Sequence, residues 1–168
     1  MANGLIVHLI RHDKTQANID RKYIGWTDEP IVDEAYDFSF NFVPEIVFGS
    51  DLIRCEQTAK KYFPTAEFKA SADLRELDFG DFEMKNYADL QHNAQYRAWI
   101  DCPGNISPPN GESYQIFEKR IMERFQQIVQ QAGEYTFVIH GGVMRVLLAH
   151  FGPVEQTFQQ TVANHRTL

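Results

Sequence analysis

The chain has 168 residues, enough for one ordinary domain with a core of its own. Apolar residues make up 43% and charged residues 23%, a globular composition. A net charge of -7 argues against a nucleic-acid partner, which asks for a basic face, and the early apolar stretch is far too short to cross a membrane.

That stretch, Leu5 to Ile10, is β-branched and apolar, the pattern of a strand buried on both faces. No cationic leader or small-residue cleavage site accompanies it, so no signal peptide is expected and the location implied is cytoplasmic. The run ends abruptly in Arg11 and His12. The acid Asp13 follows, and then a polar segment, "DKTQANIDRKY", that can begin a helix.

An irregular segment, Gly25 to Glu45, leads to a second unit. Ile46, Val47 and Phe48 make a short strand that Gly49 and Ser50 break. Ser50 or Asp51 can cap the next helix, whose apolar positions are Leu52, Cys55, Ala59 and Tyr62 or Phe63. Arg54 falls in its first turn, the wrong end of the dipole for a cation, and so invites an anion.

The segment Asp101 to Glu112 is rich in Pro and Gly and reads as a surface loop. A third unit follows, with Phe117, Ile121, Phe125 and Ile128 or Val129 on one helix face and Gly133 as the stop. The strand Tyr135 to Ile139, the break His140-Gly141-Gly142 and another apolar helix complete it. Strand and helix alternating in this order predict an α/β fold in three layers, α/β/α, around a mostly parallel central sheet, as a single domain over residues 1–168.

Ligands in such sheets sit beyond the carboxyl ends of the strands. Those ends carry Arg11 and His12, Arg54, and His140, each followed by a helix start or Gly-rich turn with backbone N–H groups to offer. The set describes an anion pocket in an acidic chain. Guanidinium groups match phosphate or carboxylate with two parallel hydrogen bonds. A histidine kept neutral by neighbouring cations is a nucleophile. Glu76, between Leu74 and Leu77 in "LRELDFGDFE", is a partly buried carboxyl suited to general-acid work. His8, His92, His150 and His165 lack metal-ligand spacing and read as structural or exposed. Arg120 and Arg145 are placed on helix surfaces. Cys55 and Cys102 read as reduced thiols, Cys55 buried and inert.

Six ordered segments from Leu9 to about His150 resemble the motifs of the histidine phosphatases, the phosphoglycerate mutase-like superfamily. "LIRHDKTQAN" is similar to Leu-Ile-Arg-His-Gly-x-Thr-x-x-Asn, and "SDLIRCEQTA" to Ser-x-Leu-x-Arg-Ala-x-x-Thr-Ala. "LRELDFGDFE" resembles Leu-x-Glu-x-x-Phe-Gly-x-Trp-Glu, while "YIGWTDEPI", "PNGES" and "VIHGGVMRVLL" also have counterparts, nearest to alpha-ribazole phosphatase-like and small mutase-like members.

The resemblance implies a phosphoglycerate mutase-like fold and hydrolysis of a small phosphorylated substrate through a phosphohistidine on His12. Arg11, Asn18, Arg54, His140 and Gly141 would bind the phosphoryl group. Glu76 would protonate the leaving oxygen. No metal or cofactor is implied, and the oligomeric state stays open. Mutases of the family tend to be longer, so hydrolysis is expected over phosphoryl transfer. The alternative is a weakened member that binds a phosphorylated ligand or a protein without efficient turnover. A metal-dependent hydrolase built on His12 and His140 is disfavoured, because two arginines would repel the metal.

Asp13 stands where the motif has Gly, and Phe82 and Met84 where Trp and Gly are common. A carboxylate about 5 Å from a bound phosphate would cost on the order of 3 kcal/mol at an effective dielectric of about 20. An active enzyme therefore requires Asp13 to turn outward, into solvent or toward a cation such as Lys14 or Arg21. It would tolerate the positive φ that a Gly signals.

Overall fold

Four runs pair side by side in a computed structural model that describes residues 4–34 and 38–152. They are β1 (Leu5–Arg11), β2 (Ile46–Ser50), β3 (Glu67–Ser71) and β4 (Gly133–Ile139), all parallel, in the order β1-β4-β2-β3. The α-helices are α1 (Gln16–Ile19), α2 (Ile53–Tyr62), α3 (Tyr87–Leu90), α4 (Ala94–Asp101), α5 (Tyr114–Ile128) and α6 (Gly141–Phe151).

Side chains alternate along a strand, and β4 uses both faces. Phe137 and Ile139 pack with Phe117, Ile121 and Phe125 of α5 and with Val143, Met144 and Leu147 of α6. Val138 packs on the other side with Ile10, Val47, and Cys55 and Ala59 of α2. This is the expected α/β/α sandwich, and burial of both faces explains the unbroken apolar run Phe137–Val138–Ile139 that ends β4.

Several boundaries differ from the sequence reading. Gly49 and Ser50 do not break β2 but lie buried inside it. A Cβ on Gly49 would sit 2.5 Å from Val138 O, so glycine here permits close approach within the sheet. Neither Ser50 nor Asp51 is the residue that caps α2. Its N-cap is Leu52, and the first helical N–H, of Ile53, donates to Asp28 Oδ1 at 2.8 Å from a distant loop. Helix α5 ends at Ile128, and Gly133 begins β4 with φ at 154° instead of stopping the helix. Strand β3 is unpredicted because "EFKAS" is a short, mostly exposed edge whose pairing with β2 alone makes it a strand.

Between β1 and β2 the described residues form no helix beyond α1. Phe38, Phe40 and Phe42 instead lay alternate rings against one another and against Tyr62 and Phe63. A separate aromatic cluster, Phe82, Leu90, Tyr96 and Trp99, joins α3 and α4. No helix among the described residues is long and apolar enough to cross a membrane.

Candidate active site

The ends of β1, β4 and β2 come together because β4 lies between the other two. His12 N donates to Ile139 O at 2.9 Å, carrying the β1–β4 ladder one residue past Arg11. His12 is only 3% exposed, and its Nδ1 lies 2.6 Å from the carbonyl oxygen of Asp13. A carbonyl can only accept, so Nδ1 carries the proton and Nε2 keeps a lone pair. The His140 ring stands 5.1 Å away, edge toward face.

Asp13 turns from the site, though not as expected. Its carboxylate is buried, with Oδ2 2.8 Å from Lys61 Nζ and the Tyr62 hydroxyl donating at 3.0 Å, both from the last turn of α2. Neither solvent, Lys14 nor Arg21 takes that role. The backbone does not need a glycine here either, since the described non-glycine residues with positive φ are Arg21, Met84 and Asn110. The glycine signal belongs to Met84, with φ at 61°.

Arg54 is wholly buried. Nη1 donates to Thr27 O at 2.7 Å and Nη2 to Gly25 O at 2.6 Å, while Nε is buried without a hydrogen-bond partner. The loop supplying those carbonyls is held by Glu83. That carboxylate accepts from the N–H groups of Gly25, Trp26 and Phe79 and from the Thr27 hydroxyl. A Cβ on Gly25 would fall 1.9 Å from Leu77 O, so no other residue fits.

Glu76 is 9% exposed and lies against the start of α6. Leu77 N donates to Oε1 at 2.9 Å and Gly142 N to Oε2 at 2.8 Å, a favourable place for a carboxylate at a helix N-terminus. The two glycines let this happen. A Cβ on Gly142 would lie 2.1 Å from Glu76 Oε1, and one on Gly141 would lie 3.1 Å from the guanidinium carbon of Arg11. The Glu76 carbonyl accepts from Trp26 Nε1 and Arg120 Nη2. Arg120 is not a surface residue. It pairs with buried Glu112 at 2.6 Å and donates to the carbonyls of Asp73 and Arg75 as well.

Asn18 uses its side-chain oxygen to accept from Thr15 N and Thr15 Oγ1 in the cap of α1. His140 is the N-cap of α6 and 1% exposed; Nε2 is 3.6 Å from Cys55 Sγ, and Nδ1 is buried without a hydrogen-bond partner.

Burial, then the charges of Arg54 and Arg11, hold His140 well below its ordinary value. Burial also lowers both guanidinium groups. Glu76 opposes this at Arg11, and Cys55, Glu76, Glu83 and Asp28 do so at Arg54. An arginine starts so high that both stay charged at neutral pH.

A cavity of about 450 Å3 opens beside Glu76 and Gly142, walled by Tyr23, Phe79, Trp99 and Tyr114, with Arg145 on its lining. Among the described residues no three His, Cys, Asp or Glu side chains are grouped to hold a metal ion. Of the other histidines, His8 stacks on Phe42 and contacts Glu134, His92 and His150 are exposed, and His165 lies outside the described residues. Arg145 is exposed, as expected.

Arg11, His12, Glu76 and His140 lie together at the strand ends as expected, while the groups that hold the site, Glu83 and Arg120, were not expected there. Glu83 was visible as the last residue of "LRELDFGDFE", and Arg120 as a charge three residues from Phe117 and one from Ile121 on the apolar face of α5.

The histidine phosphatase superfamily (branch 1) matches residues 7–167. An adenosylcobalamin/alpha-ribazole phosphatase from Escherichia coli is 32% identical over 155 residues, covering 84% of this chain and 76% of that protein. The solved structure of an alpha-ribazole phosphatase from Shigella flexneri superposes with a TM-score of 0.72 at 27% identity, over 92% of this chain and 82% of that one. A phosphoglycerate mutase structure from Thermus thermophilus gives 0.72 at 28% identity, over 88% and 84%.

Proposed function

The chain belongs to the histidine phosphatase superfamily, branch 1, and we propose that it hydrolyses a small phosphomonoester through a phosphohistidine on His12, without a metal ion. The observation that carries this reading is the 2.6 Å contact from His12 Nδ1 to the Asp13 carbonyl, which leaves Nε2 as a nucleophile in a site with buried Arg54 and half-buried Arg11.

In the first step Nε2 attacks phosphorus and the bond to the leaving oxygen breaks. The Glu76 carboxyl gives that oxygen its proton. Arg11, Arg54, His140 and Asn18 take up the charge on the phosphoryl oxygens, joined by the N–H of Gly141. In the second step water attacks the phosphohistidine, Glu76 accepts the water's proton, the P–N bond breaks and phosphate leaves. Arg54 is pre-ordered for this by Gly25 O and Thr27 O. Such ordering before the reaction is the main source of electrostatic catalysis.

The leaving group has a place in the aromatic cavity beside Glu76. Flat apolar walls suit a ring-bearing alcohol better than a short acid. With relatives named alpha-ribazole phosphatases, alpha-ribazole phosphate is the first substrate to try. Asp13, paired with Lys61 and Tyr62, gives no support to a weakened site.

The test is turnover of p-nitrophenyl phosphate in EDTA, with His12→Ala and trapping of an acid-labile phosphoprotein, followed by alpha-ribazole phosphate and phosphoglycerate. Activity in EDTA that His12→Ala abolishes is expected. An active His12→Ala protein, or one that EDTA silences, refutes the mechanism. Isomerisation of phosphoglycerate faster than its hydrolysis refutes the choice of phosphatase over mutase.

A further inference from the structure

Cys55 sits within the site yet takes no part in the chemistry above. Its Sγ is 3.6 Å from His140 Nε2, both residues are buried, and the opposite ring nitrogen, Nδ1, has no hydrogen-bond partner among the described residues. We propose that Cys55 is a positioning residue whose thiol donates to His140 Nε2 and so keeps the imidazole proton on Nδ1, the atom offered to the phosphoryl group. This rests on the reading of His140 as a phosphoryl ligand.

A neutral imidazole has one N–H and one lone pair, and the bond made at one nitrogen selects the state of the other. With the proton on Nε2, Nδ1 would aim a lone pair at an anionic oxygen. A doubly protonated ring would avoid that, but burial and the guanidinium groups of Arg54 and Arg11 keep His140 neutral. What remains is an Nδ1–H ring with a donor at Nε2.

Cys55 meets that need. Burial pushes its thiol up to about 12, so the proton stays on sulfur at neutral pH. The result is a one-way relay from Cys55 through His140 to the phosphoryl oxygen, and aligned hydrogen bonds strengthen one another. The motif that "SDLIRCEQTA" resembles has Ala at this position, so the relay tunes the site of this chain and is not demanded by the fold.

Two-bond 1H–15N correlation spectra of protein labelled in histidine report the tautomer directly, with His140 assigned by difference from His140→Gln. The unaltered protein and Cys55→Ser, which keeps a donor, should show Nδ1–H. Cys55→Ala should shift signal toward Nε2–H. It should also lower kcat on p-nitrophenyl phosphate about three- to tenfold, the worth of one net hydrogen bond, with Cys55→Ser within about twofold. Thermal melts check that both variants fold.

An Nε2–H ring in the unaltered protein overturns the proposal. So does a Cys55→Ala protein with unchanged tautomer and kcat. Turnover is not needed for the spectra: an inactive protein with an Nδ1–H ring that Cys55→Ala alters would refute the phosphatase reading and support the role of Cys55.

Discussion

Asp13→Asn removes the one acid adjacent to the proposed nucleophile, and the structure says how much that should matter. The carboxylate is bound at the last turn of α2 by Lys61 and Tyr62, whereas Arg54 lies in the first turn. Seven residues of helix separate Arg54 from Lys61, about 10 Å along the axis. A bare charge at that distance, with an effective dielectric of about 20, would cost a bound phosphate roughly 1.7 kcal/mol.

The charge is not bare. Lys61 Nζ lies 2.8 Å from Oδ2 and reduces the field at the pocket to that of a short dipole, on the order of 0.5 kcal/mol. Neutralising both partners, Asp13→Asn with Lys61→Met, should therefore change kcat/KM for p-nitrophenyl phosphate by less than about threefold. Stability should respond more. Asn keeps a hydrogen bond to Tyr62 but loses the charge opposite Lys61, for a cost of about 1–2 kcal/mol in urea unfolding. Asp13→Asn alone leaves Lys61 unbalanced and should raise kcat/KM by about tenfold, whereas a gain of that size in the doubly neutralised protein would mean that the outward pairing is not what controls the site.

Two further outcomes follow from the groups behind the site. Glu83→Gln puts an amide among the N–H donors of Gly25, Trp26 and Phe79, loosening the carbonyls that hold Arg54. A fall in kcat/KM of at least about tenfold is expected from the loss of charged hydrogen bonds, and unaltered kinetics would show that Arg54 keeps its place without Glu83. The depressed pKa of His140 makes stability depend on pH. The unfolded chain binds a proton at this residue as pH falls below its ordinary 6.5, while the folded chain does not. Stability from the neutral ring is thus complete above about 6.5 and is lost below it, at up to about 1.4 kcal/mol per pH unit. Urea midpoints from pH 7 to pH 5 should fall more steeply in the unaltered protein than in His140→Gln, and parallel lines would contradict the assignment.

The strands β1, β2 and β4 and the helices α2, α5 and α6 could be read from the chain because each carries its own apolar period. Strand β3 could not, since a five-residue exposed edge has no period of its own to show. Glycine was a two-sided signal. At Gly141 and Gly142 it marked the close approach of Arg11 and Glu76. Its absence at position 13 suggested a left-handed backbone that is found instead at Met84.

The α/β/α layering, and Arg11, His12, Arg54, Glu76 and His140 as the candidate set, were legible in the chain itself. These residues sit at the ends of periodic elements and in ordered motifs, and both are local properties of a chain. Where Asp13 points, which carbonyls grip Arg54, how Arg120 and Trp26 fix the Glu76 backbone, and the contact of Cys55 with His140 emerge only in the folded molecule. Each of these joins residues far apart in sequence or turns on one side-chain rotamer. Such contacts exist only once β4 has been inserted between β1 and β2 and the loops have closed over the strand ends.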